Sequence, residues 1–130
     1  MAELRLEIVT PTGRVLDVMA GEVRAPGAAG ELGILPQHRP GLIKLSGGAV
    51  AWTGAAAGEV LIRGGIAEIR PDGVLILADQ AVRRADADRA EAQAILDAQA
   101  VAMAAETYLD DDHIFGFASS RAYAETILKG

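Results

Sequence analysis

Ile66-Ala67-Glu68-Ile69-Arg70-Pro71-Asp72-Gly73-Val74-Leu75-Ile76-Leu77-Ala78 reads as two short strands around a tight turn. Proline presets the first turn dihedral, and glycine accepts the left-handed position that closes a turn. The stretch therefore predicts a hairpin joining 66–70 to 74–78. The same grammar extends towards the N-terminus. Leu4, Leu6 and Ile8 alternate with Arg5 and Glu7, the period-two pattern of a half-buried strand. Thr10-Pro11-Thr12-Gly13 interrupts it, and 14–19 resumes it with Leu16 and Val18 on one face. Further strands are expected at 21–25, 33–35, 42–45, 49–53 and 59–63. Many short strands separated by turn residues favour a β-sandwich or barrel.

After Ala81 the pattern changes. Ten alanines fall between Ala85 and Ala105, where intrinsic propensity favours helix. Asp86 is placed to cap that helix. Ala92, Ile95, Leu96, Ala102 and Met103 can share one stripe, a thin one because alanine buries little area. Such a face needs a partner surface. Asp110-Asp111-Asp112 and Gly116 mark a connection, after which Ser119 or Ser120 would cap a short second helix through Leu128, with Arg121 and Glu125 paired one turn apart. The expected outline is α+β, mainly β: a strand-rich domain over 1–83 and a helical hairpin over 84–130.

Composition narrows the function. The chain has 130 residues, no cysteine and only 4% aromatics, enough for one core plus an appendage and without disulfides or thiolate metal sites. Its net charge of −6 is uneven, with −1 over residues 1–83 and −5 over 84–130. Nucleic acid is a poor partner, since phosphate binding needs a concentrated basic surface. The opening Met-Ala-Glu-Leu-Arg-Leu lacks the cationic and apolar regions of a signal peptide. No apolar run approaches the roughly 20 residues that span a bilayer, so no membrane insertion is expected.

Gly30-Glu31-Leu32-Gly33-Ile34-Leu35-Pro36-Gln37-His38 packs two glycines and a proline into nine residues and contains no catalytic constellation. It reads as a shaped loop followed by a short apolar strand, and docking explains it better than chemistry. Together with Gly64-Gly65-Ile66-Ala67-Glu68-Ile69 and Val74-Leu75-Ile76-Leu77-Ala78-Asp79, in this order and spacing, it resembles the epsilon subunit of bacterial F-type ATP synthase, called delta in mitochondria.

That resemblance implies an N-terminal β-sandwich of about ten strands followed by a C-terminal antiparallel two-helix hairpin. It further implies a non-catalytic rotor subunit in the central stalk, peripheral to the cytoplasmic face of the bacterial inner membrane. There the subunit links the c ring to gamma and couples proton or sodium flow to ATP synthesis. Positions matching Ala28, Ala29, Gly30 and Glu31 face the polar loops of the c ring; His38 lies where the family approaches gamma. Leu42, Ile43 and Leu45 alternate awkwardly, so an apolar side chain should face away from the core, and Leu42 is assigned to the gamma contact.

Two regulatory roles accompany the resemblance. Some family members bind ATP through Ile or Leu, Asp, two variable residues, Arg and Ala at the first helix. Asp86, Arg89 and Ala90 match that motif, and Ala85 departs from it. One arginine beside two acids is a poor polyphosphate site, so Asp86 as a cap and Arg89 as a surface pair are the preferred reading. No cofactor is expected, with ATP as the candidate regulatory ligand. The helices of inhibitory members also reach the alpha/beta head through basic residues. Only Arg121 and Lys129 are available here, behind an acidic triplet, so weak inhibition or none is expected.

The Gly64-Gly65 pair lacks the Gly-Lys-Ser/Thr of a phosphate loop and reads as a strand connection. The acidic triplet lacks the ligand spacing of a calcium loop. The alternatives from other classes are an ATP-responsive binding module regulating a partner, and a small hydrolytic enzyme. The latter suffers because His38 and His113 lack a catalytic setting.

Overall fold

Leu4, Leu6 and Ile8 all point to one side of the first strand and lose essentially all contact with solvent. The alternation thus does what its period dictates. In the computed structural model, which describes residues 3–104 and 111–129, ten strands follow in order. They are β1 (Leu4–Thr10), β2 (Gly13–Ala20), β3 (Val23–Gly27), β4 (Gly30–Ile34), β5 (Gly41–Leu45), β6 (Gly48–Trp52), β7 (Gly58–Ile62), β8 (Gly65–Arg70), β9 (Gly73–Ala78) and β10 (Ala81–Val82). A single 3-10 turn, Arg84–Asp86, leads to α1 (Arg89–Ala104) and α2 (Asp111–Lys129).

The strands form two layers, β10-β7-β6-β3-β4 and β5-β8-β9-β1-β2. Gly27 opposite Leu45 makes them one continuous hydrogen-bonded surface. All pairings are antiparallel except β1 with β9. Between the layers lies a core of aliphatic side chains, among them Leu6, Ile8, Ile34, Leu45, Val60 and Ile76.

β7 is apolar on both faces for a reason. Val60 and Ile62 enter the sandwich core, whereas Leu61 points outward into a second cluster with Ala92, Ile95, Tyr123, Ala124 and Ile127. The helical hairpin thus covers one outer face of the sandwich. Its Ala-rich stripe obtains the partner surface it lacked alone. The helices run antiparallel, since Arg89 at the start of α1 meets Ile127 near the end of α2. Gly47 permits close approach: a Cβ there would overlap the carbonyl oxygen of Ser119 and lie 2.8 Å from the Tyr123 amide nitrogen.

The expected hairpin is present, with Arg70 paired to Gly73 across Pro71 and Asp72. Gly73, however, does not take a left-handed conformation. It lies opposite Arg5 in the parallel pairing of β1 and β9, and a Cβ there would sit 2.8 Å from the Arg5 carbonyl oxygen. Close approach of backbone, rather than turn geometry, requires the glycine.

Residues 30–38 run in the opposite order from expectation: strand first, then loop. Gly30, at φ +129°, closes a two-residue turn with Gly27, so β4 starts at once. The chain then turns at Leu35, whose carbonyl accepts from the His38 amide at 3.1 Å, while Gln37 sits at φ 64° and donates from its backbone to Pro71 at 2.8 Å. β3 likewise begins at Val23 and continues through Pro26, because Gly21 is engaged by Thr53 instead.

In the helical region, Asp88 rather than Asp86 is the cap. Its Oδ1 accepts from the Ala90 and Glu91 amides at 2.9 and 3.2 Å. Asp86 belongs to the preceding 3-10 turn, and extended Ala87 separates that turn from the helix. The connection expected at the acidic triplet and Gly116 is also corrected, since α2 already runs from Asp111 through Gly116. Ser119 and Ser120 consequently lie inside a 19-residue helix and cap nothing. The Arg121–Glu125 pair is present at 2.9 Å. Asp110, and the side chains of Ala102, Met103, Asp111, Asp112 and His113, lie outside the described residues.

Candidate docking surface

Small residues shape the tip of the β3–β4 hairpin. Gly27 and Gly30 pair across Ala28 and Ala29, and a Cβ on Gly27 would lie 2.6 Å from the Gly30 carbonyl oxygen. Ala28, Ala29, Gly30 and Glu31 are all exposed. The Ala28 amide donates to Lys44 at 2.9 Å, tethering the tip to β5. Glu31 is not a lone loop acid: its Oε1 accepts from Arg24 Nη1 at 3.3 Å. Glu22 raises the Arg24 pKa most, and Glu31 raises it further.

Beside the tip, an open groove of about 520 Å³ is lined by residues 27–32 and by Leu42, Ile43 and Lys44. The structure thus brings Leu42 together with Ala28, Ala29, Gly30 and Glu31. His38 stands apart, in the connection that enters β5 from its other end. It is half-buried, and its Nδ1 donates to the Arg39 carbonyl at 2.9 Å.

Leu42 begins an apolar strip on the outer face of the second layer. It is 74% exposed, while Ile66 and Leu77 are 48% and 51% exposed. Pairing sets Ile66 beside Leu77 and between Lys44 and Leu77, while Leu42 lies opposite Glu68 and diagonal to Ile66, so three adjacent strands contribute exposed apolar side chains with Lys44 and Glu68 among them. Sequence reasoning missed Ile66 and Leu77. The signal was available: Val74-Leu75-Ile76-Leu77 is apolar at successive positions, so half of those side chains must face away from the core.

The same face turns polar towards β2. Arg5 grips Asp17 through two bonds, Nε–Oδ1 at 2.9 Å and Nη2–Oδ2 at 2.8 Å, and Arg14 bridges to Glu7 at 3.2 Å. The Arg5 hydrogen bond holds the Asp17 carboxyl below its ordinary pKa, against some desolvation. Arg70 pairs with Glu68 at 3.0 Å. These charges satisfy one another, leaving the apolar strip as the part of the face that gains from being covered.

The ATP-motif positions occupy the junction between sandwich and helices. Arg89 Nη1 donates to the Ile127 carbonyl at 3.4 Å. Arg84 donates to Glu59 at 2.7 Å and to the Thr126 carbonyl at 3.1 Å. Both cations therefore sit on the carbonyl end of α2, where unsatisfied acceptors and the helix dipole favour positive charge. Ala90 contributes its amide to the Asp88 cap, and Asp86 stays exposed in the 3-10 turn. Nearby, Arg63 donates to Ser120 Oγ at 2.8 Å and Gln80 donates to Glu91 at 2.7 Å. Among the described residues, no cluster of carboxylates and histidines could hold a metal ion.

The matching family model is the ATP synthase delta/epsilon chain β-sandwich domain, over residues 3–84. The chain belongs to the ATP synthase delta/epsilon family. Among its relatives, the ATP synthase epsilon chain of Herminiimonas arsenicoxydans is 36% identical over 96% of this chain and 88% of its own length. That of Bordetella parapertussis is 42% identical over 72% of this chain and 69% of its own. Among solved structures, the fold is similar to a chain in the Euglena gracilis mitochondrial ATP synthase OSCP/F1/c-ring assembly. That match has a TM-score of 0.70 at 19% identity and covers 99% of this chain and 81% of that one. A chain of the Tetrahymena thermophila mitochondrial ATP synthase central stalk and c ring matches at 0.54 and 18%, covering 64% of this chain and 68% of that one.

Proposed function

We propose that this chain is a non-catalytic central-stalk subunit of an F-type ATP synthase, transmitting rotation between the c ring and gamma and making or breaking no bond itself. The carrying observation is that Leu42, Ile66 and Leu77 are exposed on one face of three adjacent strands, beside an exposed hairpin tip of small residues. The strip suits an apolar surface of gamma; His38, which stands apart from it, is assigned to gamma by the family resemblance. The tip, with Glu31 on its flank, suits polar loops of the c ring. Compact glycine and alanine side chains allow close backbone approach there, and torque needs stiff contacts more than strong ones. The sandwich domain is assigned to 1–83 and the helical domain to 84–130. No helix among the described residues is long and apolar enough to cross a membrane, and a peripheral place on the cytoplasmic face of the bacterial inner membrane fits this role.

For Asp86, Arg89 and Ala90 the favoured role is mechanical, since Arg89 and Arg84 are engaged by the α2 terminus. ATP as a regulatory ligand is the secondary reading.

The test is co-purification of the full tagged chain with gamma and the c ring. Leu42→Glu should lose gamma, because it would put a carboxylate opposite Glu68 and into an apolar contact. Glu31→Lys should weaken c-ring retention while gamma remains. Retention of gamma by Leu42→Glu would overturn the assignment.

A further inference from the structure

Ser119 lies in α2 against the connection between β7 and β8, and it is 4% exposed. Among the described residues, its Oγ is the buried side-chain oxygen that lacks a hydrogen-bond partner. A buried hydroxyl left unpaired is costly, and such groups in folded proteins are satisfied by protein or by ordered water. The helix cannot roll to turn it outward. The Ser119 carbonyl packs on Gly47, Ser120 Oγ accepts from Arg63 Nε at 2.8 Å, and Tyr123 one turn on is fully buried.

The surroundings of the hydroxyl supply what it needs. Gly64 faces it with a bare Cα, and the point where a Cβ would stand is 3.6 Å from Ser119 Oγ and 3.4 Å from Asp79 Oδ2. A hydroxyl donor and a carboxylate acceptor thus converge on one small space without bonding to each other directly. Gly64 sits at φ +133°, a conformation that favours glycine, so a side chain that would fill the space is disfavoured. Asp79 is held beside it by its own amide, which donates to the Gly64 carbonyl at 2.9 Å. The Asp79 side is exposed, which gives a small ligand a route in and out.

We infer that an ordered water molecule binds between Ser119, Asp79 and Gly64 and seats α2 on the connection between β7 and β8. The water accepts from the Ser119 hydroxyl and donates to Asp79 Oδ2, so both groups are satisfied at once. Two polar partners and the room of a missing methyl group are what a bridging water requires. A metal cation suits the position less well, because one carboxylate and one hydroxyl leave most of a coordination shell unfilled. The helix is therefore joined to the sandwich here through a replaceable bridge, beside the direct Arg63–Ser120 bond.

The test is a high-resolution crystal structure of the full chain, together with amide exchange of α2 in a double-mutant cycle on Ser119 and Asp79. The crystal structure should show a water within hydrogen-bonding distance of Ser119 Oγ and Asp79 Oδ2. Asp79→Ala should speed exchange around Ser119 by about fivefold, since the water loses its acceptor. Asp79→Asn keeps a carbonyl acceptor and should exchange like the native chain. Ser119→Ala removes the donor, and in that background Asp79→Ala should have no further effect. A Ser119 hydroxyl that donates to the Phe115 carbonyl of its own helix, with no water beside it, would overturn the site. So would equal effects of Asp79→Ala in the two backgrounds, since the residues would then act independently. Exchange in Asp79→Asn as fast as in Asp79→Ala would mark a bound cation and overturn the assignment to water.

Discussion

Gly47 presents its bare Cα to the Ser119 carbonyl of α2, so closely that a methyl group there would overlap the helix backbone. Nothing in the local strand pattern demands a glycine at that point; the helix does. Gly47→Ala should therefore push α2 off the sandwich while leaving the β core folded. Limited proteolysis should show faster cleavage within 111–129 against an unchanged fragment covering the strands. Equal resistance of both regions would show that the helix adjusts without undocking.

Gly73 makes the corresponding test of the sandwich. An added Cβ would meet the Arg5 carbonyl at 2.8 Å in the parallel β1–β9 pairing. Overpacking of this kind costs about 1–3 kcal/mol. Gly73→Ala should lower the urea midpoint of the whole sandwich, in contrast to Gly47→Ala.

Arg84 and Arg89 cap the carbonyl end of α2. Removing both guanidiniums should destabilise the last turn by about 1 kcal/mol, discounted for their partial exposure. The readout is faster amide exchange of the two or three residues before Lys129, with the start of α1 unaffected. Because these cations are already engaged, calorimetry with millimolar ATP on the native chain should show no binding heat. Tight binding would restore Asp86, Arg89 and Ala90 as a nucleotide site.

Two groups set opposite limits on pH stability. Arg5 depresses the Asp17 pKa below its ordinary 3.8, so the folded state binds this proton less readily than the unfolded chain. The stabilisation is present above about pH 4 and is lost as pH falls through the depressed folded value. Asp17→Asn should flatten that acid limb. Burial raises the Tyr123 phenol above 10.0, so its contribution is complete below pH 10 and is lost as pH rises through the folded value. Tyr123→Phe should extend helix docking into alkali, measured by circular dichroism against pH.

Residues 84–130 carry nine acidic and four basic side chains. Like-charge repulsion opposes their approach to an acidic surface of a catalytic head. Cutting the chain after Arg84 should change ATP hydrolysis by the assembled enzyme by no more than about twofold, the consequence of a charge balance unsuited to that contact. A many-fold rise would establish inhibition by the hairpin.

The sequence by itself determined most of the strands, the presence of a two-helix tail and the family. Period-two alternation and the Pro-Asp turn are local, and three motifs at fixed spacing identify the family without coordinates. It also required an outward apolar side chain near Leu42, because 42, 43 and 45 cannot all face one side of a strand. Features that depend on distant backbone were illegible. Asp88 displaced Asp86 as the cap only because the preceding 3-10 turn consumes one more step of chain. Ser119 and Ser120 suit a helix start by residue type, but α2 begins earlier and is held by contacts with Gly47 and Arg63. Gly73 answers to Arg5, some seventy residues away in sequence. The candidate docking surface joins both cases. Its small-residue tip is written in residues 27–31, but its apolar wall exists only because pairing sets Leu42, Ile66 and Leu77 on one face. Local steric preference selects the elements; which faces remain uncovered is decided by packing between elements distant in the chain.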